Sequence, residues 1–189
     1  MKKGLLFILS GPSGVGKGTI RQEVMKDLSL NLWYSISLTT RKQRPGEVDG
    51  REYYFVSEKE FQKNLDEGNL LEHACFVSHH YGTPKDKEEE KCCQGINVLL
   101  EIDVRGAEQV MAKCPEAVTI FLLPPNMEEL ETRIRGRSTE GEKAIEERLA
   151  KAKKELSEAS IYKYRVVNDS IPRASKEIQD IIRKEIAAH

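Results

Sequence analysis

"LSGPSGVGKGTI" at residues 9–20 decides how the rest of the chain is read. Gly11-Pro12-Ser13-Gly14-Val15-Gly16-Lys17 fits the GxxxxGK phosphate loop, and its context suits it. The preceding "GLLFILSG" (4–11) is an unbroken apolar run, as in a central parallel strand covered on both faces. From Thr19 to Leu28 the apolar Ile20, Val24 and Leu28 fall on one helical stripe. Glycines let such a loop turn tightly and aim its N–H groups inward, the helix start adds a positive end, and Lys17 adds a point charge. The bland alternative, a glycine-rich turn with an exposed lysine, lacks a reason for this context. Gly18 departs from the pattern, because a Ser or Thr there often ligates Mg²⁺. Either Thr19 reaches the ion or its water shell, or Mg²⁺ is held mainly by phosphates and water, which its reluctance to dehydrate permits.

Working outward, "WYSISL" (33–38) reads as a second strand, 58–67 as a short helix and "NLLEHACF" (69–76) as a strand. Residues 83–95 read as a helix with proline near its start and glycine after its end. "NVLLEID" (97–103) and "AVTIFLLPP" (117–125) are buried strands, 126–137 and 144–159 helices, "YRVVND" (164–169) a last strand and 172–187 a last helix. Strands alternating with helices imply an α/β fold built on a central parallel sheet. The stretch from about 35 to 85 interrupts that alternation and reads as an inserted β-rich subdomain.

A chain of 189 residues suits one such domain. The formal net charge of −1 gives no overall field for nucleic acid or an acidic membrane, so any anion site rests on local Lys and Arg. Cys75, Cys92, Cys93 and Cys114 lack metal-ligand spacing and suit reduced thiols in a cytoplasmic protein. The apolar run after Lys2 and Lys3 is too short for a secretory signal, and no stretch is long enough to cross a bilayer.

Two arginines, Arg41 and Arg44, lie close together in "SLTTRKQRPGEVDGREYYFVS" (37–57), where two guanidinium forks can grip one phosphate; by composition alone this is a solvated basic loop. The stretch resembles the monophosphate-binding segment of the guanylate kinase family. "LLEHACFVSHHYGTP" (70–84), "VLLEIDVRGA" (98–107) and "RIRGRSTEGEKAIEERL" (133–149) resemble its following segment, its second core strand and its lid, so the likeness spans most of the chain. The resemblance implies a P-loop three-layer fold with a core of about 1–33, 86–125 and 150–189, a GMP-binding subdomain of about 34–85 and a helical lid of about 126–149. It also implies that Ser37, Arg41, Arg44, Tyr53 and Tyr81 hold the phosphate of GMP, and that Glu72, Thr83 and Asp103 read the guanine. Thr83 stands where the family often has Ser, and Glu101 where many members have Asp.

Gly11, Pro12, Ser13, Gly14, Val15, Gly16, Lys17, Gly18 and Thr19 would hold ATP, with Asn168 and Asp169 near the adenine. Arg133, Arg137 and Arg148 match lid arginines, Arg148 reaching the GMP side as well; Arg135 has no counterpart. Lys17, Arg41, Arg137 and Arg148 would carry the catalysis. Thr19 and Glu101 are the candidate contacts to the metal. The implied activity is ATP + GMP ⇌ ADP + GDP with Mg²⁺, dGMP included as acceptor, by a monomer or homodimer that takes small-molecule substrates and neither nucleic acid nor membrane. The alternatives are a kinase for another nucleoside monophosphate, suggested by "GKGT", and a non-catalytic protein-interaction module of guanylate-kinase-like fold. An ionised carboxylate suits guanine, whose N1–H and N2–H both donate, and disfavours adenine, whose N1 accepts.

Overall fold

The computed structural model describes residues 2–76, 78–137 and 141–189. Its core is a parallel sheet in which β1 (Leu6–Ser10) lies between β7 (Asn97–Glu101) and β8 (Val118–Leu123). β2 (Leu32–Tyr34) and β9 (Tyr164–Val167) form the edges, giving the order β2-β7-β1-β8-β9. Strand periodicity explains the layers. Phe7 and Leu9 of β1 join Leu99, Ile120 and Leu122 on one face, under α1 (Lys17–Val24) and α7 (Ile171–Ala188). Ile8 joins Val98, Leu100 and Phe121 on the other, under α3 (Lys85–Cys93) and α4 (Val104–Lys113). With both faces covered, the expected three-layer α/β arrangement follows.

A second sheet occupies the expected insertion. Its order is β4-β3-β6-β5, from β3 (Leu38–Thr39), β4 (Tyr54–Phe55), β5 (Leu70–Phe76) and β6 (His79–Pro84). Its own small core is Leu38, Phe61 and Leu70, with Phe61 supplied by α2 (Glu58–Asp66). Ser57 caps α2 in a reciprocal box with Glu60. Beyond β8, α5 (Met127–Arg137) and α6 (Glu142–Ser157) occupy the stretch expected as a lid; the loop expected at 138–143 falls partly outside the described residues.

Some sequence expectations need correction. The strand expected at 33–38 is two. Ser35 still donates its N–H to Leu99 O on the core sheet, whereas Ser37 O accepts from Tyr54 N in the second sheet. Alternation identifies an extended chain but not the sheet it joins. α1 stops at Val24, and Leu28 is 88% exposed. Asp27 accepts from Ser29 N and starts a separate 3₁₀ turn that buries Leu30 instead. The helix expected from 83 starts at Lys85, since Thr83 and Pro84 finish β6. α4 was not anticipated.

Asn97 fastens three segments at the sheet's lower end. Its Oδ1 accepts from Leu5 N at 2.9 Å, and its Nδ2 donates to Leu30 O at 2.8 Å. Asn97→Ala leaves both backbone groups unpaired and should cost roughly 2–4 kcal/mol in urea unfolding. A loss below about 1 kcal/mol would show that these bonds contribute little.

Candidate active site

Chains leaving the carboxyl ends of β1, β7, β8 and β9 converge on one rim, where open parallel sheets bind ligands. The loop after β1 turns through left-handed residues at Gly14 and Gly16, φ +85° and +98°. These turns face Val15 O toward two donors, Asn168 Nδ2 at 2.9 Å and Arg133 Nη1 at 3.3 Å. Arg133 also donates to Asn168 O at 3.2 Å and pairs with Glu129. Asn168 is buried beneath the loop with its amide committed to this strut. Asp169 is exposed and pairs with Arg173.

Lys17 folds over the loop, donating to Gly11 O at 2.7 Å and Pro12 O at 3.2 Å. Burial holds its ammonium below the usual lysine range, against the pull of Glu101, Glu155 and Asp103. Ser13 N donates to Glu155 Oε2 at 3.3 Å, and Arg148 Nη2 lies 3.4 Å from Ser13 Oγ. Thr19 is half-buried in the first turn of α1. Gly18 has an ordinary φ, and a Cβ placed there would lie 3.6 Å from Glu101 Oε1. The other oxygen, Glu101 Oε2, accepts from Arg21 Nε at 2.8 Å, and Arg21 stacks on Tyr34, centroid distance 4.1 Å. The side chain of Arg137 lies outside the described residues.

The second sheet gathers the acceptor candidates. Thr39 pairs with Tyr81 across β3 and β6. The rings of Tyr53 and Tyr81 meet edge to face at 5.8 Å, and Arg41 lies 5.4 Å from the Tyr53 centroid. Arg41 is only 10% exposed and grips Glu47 with both terminal nitrogens, at 3.0 and 2.8 Å. Its hydrogen bond to Glu47 holds the guanidinium above its usual range and the Glu47 carboxyl below its own. Arg44 is exposed, and its N–H also donates to Glu47. Ser37 is half-buried at the start of this sheet.

Glu72 is 5% exposed and accepts from Thr83 Oγ1 at 2.7 Å. Burial pushes its carboxyl up to about 7, with the Asp103 charge adding to the rise and the Thr83 bond opposing it. A Cβ at Gly106 would lie 2.8 Å from Glu72 Oε2, so glycine makes room for this carboxylate. Asp103 caps the same turn of α4, its Oδ1 accepting from Gly106 N, and its Oδ2 lies 3.9 Å from Lys151. The structure thus brings Glu72, Thr83 and Asp103 together and groups Arg41, Tyr53 and Tyr81 separately.

A family model described as guanylate kinase matches residues 3–185. The chain belongs to the guanylate kinase family. It is 49% identical over 184 residues to a guanylate kinase of Enterococcus faecalis, covering 97% of this chain and 90% of that one. It is 47% identical to one of Streptococcus thermophilus, covering 97% and 88%. The crystal structure of guanylate kinase from Anaplasma phagocytophilum superposes with a TM-score of 0.78 at 33% identity, covering 98% of this chain and 87% of that one.

Within this guanylate kinase fold, sequence reasoning missed two carboxylate partners: Glu47 faces Arg41, and Glu155 receives the loop amide of Ser13. Glu101, expected as a candidate metal contact, is oriented by Arg21. Glu155 carried one faint signal: it lies on the apolar face of α6 at i+3 from Ala152, yet it is charged. The two glycines beside carboxylates should respond oppositely to a methyl group. Gly106→Ala forces a buried clash and should lower stability by roughly 1–3 kcal/mol. Gly18→Ala meets only ordinary contact and should be neutral or stabilising by up to about 1 kcal/mol. Thermal unfolding of both variants checks the pair, and equal losses would contradict it.

Proposed function

We infer that this chain is a guanylate kinase that transfers the γ-phosphoryl group of ATP reversibly to GMP, and to dGMP, giving ADP and the diphosphate. The observation that carries the acceptor assignment is the buried Glu72 carboxyl, hydrogen-bonded to Thr83, set apart from the loop after β1. Residues 34–85 would form the GMP-binding part and 126–149 the lid, in a cytoplasmic enzyme. No described helix is long and apolar enough to cross a membrane.

In this reading Lys17 and the loop amides hold the donor phosphates, while Ser37, Arg41, Arg44, Tyr53 and Tyr81 hold the GMP phosphate. An oxygen of that phosphate attacks in line, and no protein nucleophile is needed. Catalysis is then positioning and charge neutralisation, with Arg137 and Arg148 placed by resemblance at the transferring oxygens. Arg41 releases Glu47 to take a phosphate in the same bidentate manner, which needs only a change of anion at a fork already formed. Glu155 leaves Ser13 N to the donor phosphate. Asn168 keeps the loop's curvature and so acts beneath the ATP site.

The residues suit a metal held by substrate phosphates and water. Among the described residues there is no cluster of three or more carboxylate, His or Cys groups able to cage an ion. Glu101 is the carboxylate beside the loop, with one oxygen held by Arg21 and the other toward Gly18. Mg²⁺ bound with ATP would neutralise charge between the β- and γ-phosphates. Thr19 or Glu101 would meet it through its water shell.

The decisive assay is ADP release with GMP, dGMP, AMP, UMP and IMP as acceptors. GMP and dGMP should react best and AMP poorly; comparable turnover of AMP would overturn the guanine assignment. Arg41→Ala should raise KM for GMP at least tenfold and leave KM for ATP within about twofold, since a desolvated charged pair is lost on one side only. An unchanged KM for GMP would remove Arg41 from the acceptor site.

Glu72 adds a pH dependence. Free, its carboxyl titrates at about 7; two guanine N–H donors favour its ionised form and lower that value on binding. Relative to a Glu72→Gln variant, GMP binding by wild type should therefore release an additional proton near pH 7, and the ratio of wild-type to variant affinity should rise roughly twofold from pH 7 to 8 before levelling. The GMP phosphate contributes little there, being almost fully dianionic above pH 7. Calorimetry of both proteins in buffers of different ionisation enthalpy measures the proton; equal proton counts in wild type and the Glu72→Gln variant would refute the role of Glu72.

A further inference from the structure

Two chain crossings join the second sheet to the core. The first, residues 35–37, leaves β2; the second passes from Pro84 at the end of β6 into α3. Ser35 is the last residue bonded to the core sheet, through its N–H to Leu99 O, and Ser37 already bonds to β4. Glu88, one turn into α3, is 2% exposed, and its Oε1 accepts from Ser35 Oγ at 2.5 Å. Glu88 Oε2 is also buried and has no hydrogen-bond partner among the described residues. A carboxyl group with half its capacity unmet is a costly way to fill space that an aliphatic side chain would fill freely.

We propose that Glu88 and Ser35 form a latch between the two crossings, with Glu88 a positioning residue that sets how the second sheet, and with it Ser37 and Arg41, stands over the loop after β1. This rests on reading that sheet as the acceptor-phosphate site. The latch joins the only two chain segments, among the described residues, through which the backbone passes between core and insertion. Its strength depends on the Glu88 proton. Burial pushes that carboxyl up to about 7, aided by Asp86 and opposed by Lys87 and by the Ser35 bond. The neutral form suits the closed pair. The ionised form leaves a charged oxygen unsolvated and favours any arrangement that parts the crossings and admits water.

Other titratable groups face the same place. A cavity of about 130 Å³ beside Glu88 is lined by Lys3 ahead of β1, Glu89 and Cys92 of α3, Cys114 and Glu116 between α4 and β8, and the terminal His189. All of them remain in a Glu88→Gln variant, as does Glu72, so the ratio of wild type to variant isolates Glu88.

The test is KM for GMP and for ATP from pH 6 to 8 in wild type and Glu88→Gln. The wild-type to variant ratio of KM for GMP should rise roughly fivefold with pH, while the ATP ratio stays flat. A flat GMP ratio, or equal rises for both substrates, overturns the latch. A residue that only supports the fold would shift thermal stability without this split. Ser35→Ala provides a second route if the Gln variant folds poorly. Amide exchange in residues 35–38 and 85–88 should quicken together in that variant, and unchanged exchange at both crossings would overturn the proposal. If Arg41→Ala leaves KM for GMP unchanged, the acceptor reading fails while the exchange result still judges the latch. If Arg41→Ala raises KM and the Glu88 ratio is flat, the latch alone fails.

Discussion

The carbonyl oxygen of Val15 is the point on which the nucleotide loop depends. Left-handed turns on either side of it are open to glycine and strained for other residues, and they leave the carbonyl unable to join a helix or a ladder. Asn168 and Arg133 both donate to it, one just after β9 and one on α5. A Cβ at Gly16 would lie 2.9 Å from Asn168 Nδ2, so strut and turn require each other. The loop is therefore shaped before any phosphate arrives, which is what keeps the ordering entropy of binding small. Because Arg133 spans from the loop to Asn168 O, and Ile134 beside it is buried in the core, the second half of α5 is fixed against the loop.

Around that loop, groups suited to phosphate are partnered by the protein's own carboxylates. Arg41 has Glu47, Ser13 N has Glu155 and Lys17 is drawn by Glu101, Glu155 and Asp103. Left unpaired in half-buried places, these cations and N–H groups would each cost free energy and tend to collapse onto whatever acceptor lay nearest. Internal partners keep them extended and aimed. A phosphate dianion carries more charge and more acceptor oxygens than one carboxylate, so it can replace the partner without rebuilding the fork. Under the proposed function, selectivity between bases would rest on the opposite arrangement, a buried carboxyl held by a neutral residue. Glu72 with Thr83 fits that, and glycine at 106 leaves room for the carboxyl.

Much of this was legible in the sequence because chain-local signals carried it. The phosphate loop declares itself through glycines, lysine and flanking apolar runs, and the layers follow from alternation in β1, β7 and β8. Resemblance, not chemistry, singled out Glu72 and Arg41, which by composition look like surface charges. Partner carboxylates stayed hidden because each lies far along the chain from its partner or inside a charged run: Glu155 is 142 residues from Ser13, and Glu47 sits in a turn-rich basic stretch. α4 escaped notice because Gly106 weakens its first turn and because Asp103, its cap, was already assigned to guanine. The division of 33–38 between two sheets is a tertiary choice that period-two alternation cannot express.

Gly18 can now be placed within this balance. Glu101 Oε1 lies within reach of that position, and Oε2 is fixed by Arg21. A serine hydroxyl at 18 would extend one atom beyond a Cβ already 3.6 Å from Glu101 Oε1, within reach to donate its hydrogen to that carboxylate. Glycine offers no such donor and leaves the acidic oxygen facing the loop. The anionic group beside the loop is supplied by β7, and Arg21, stacked on Tyr34, sets its direction.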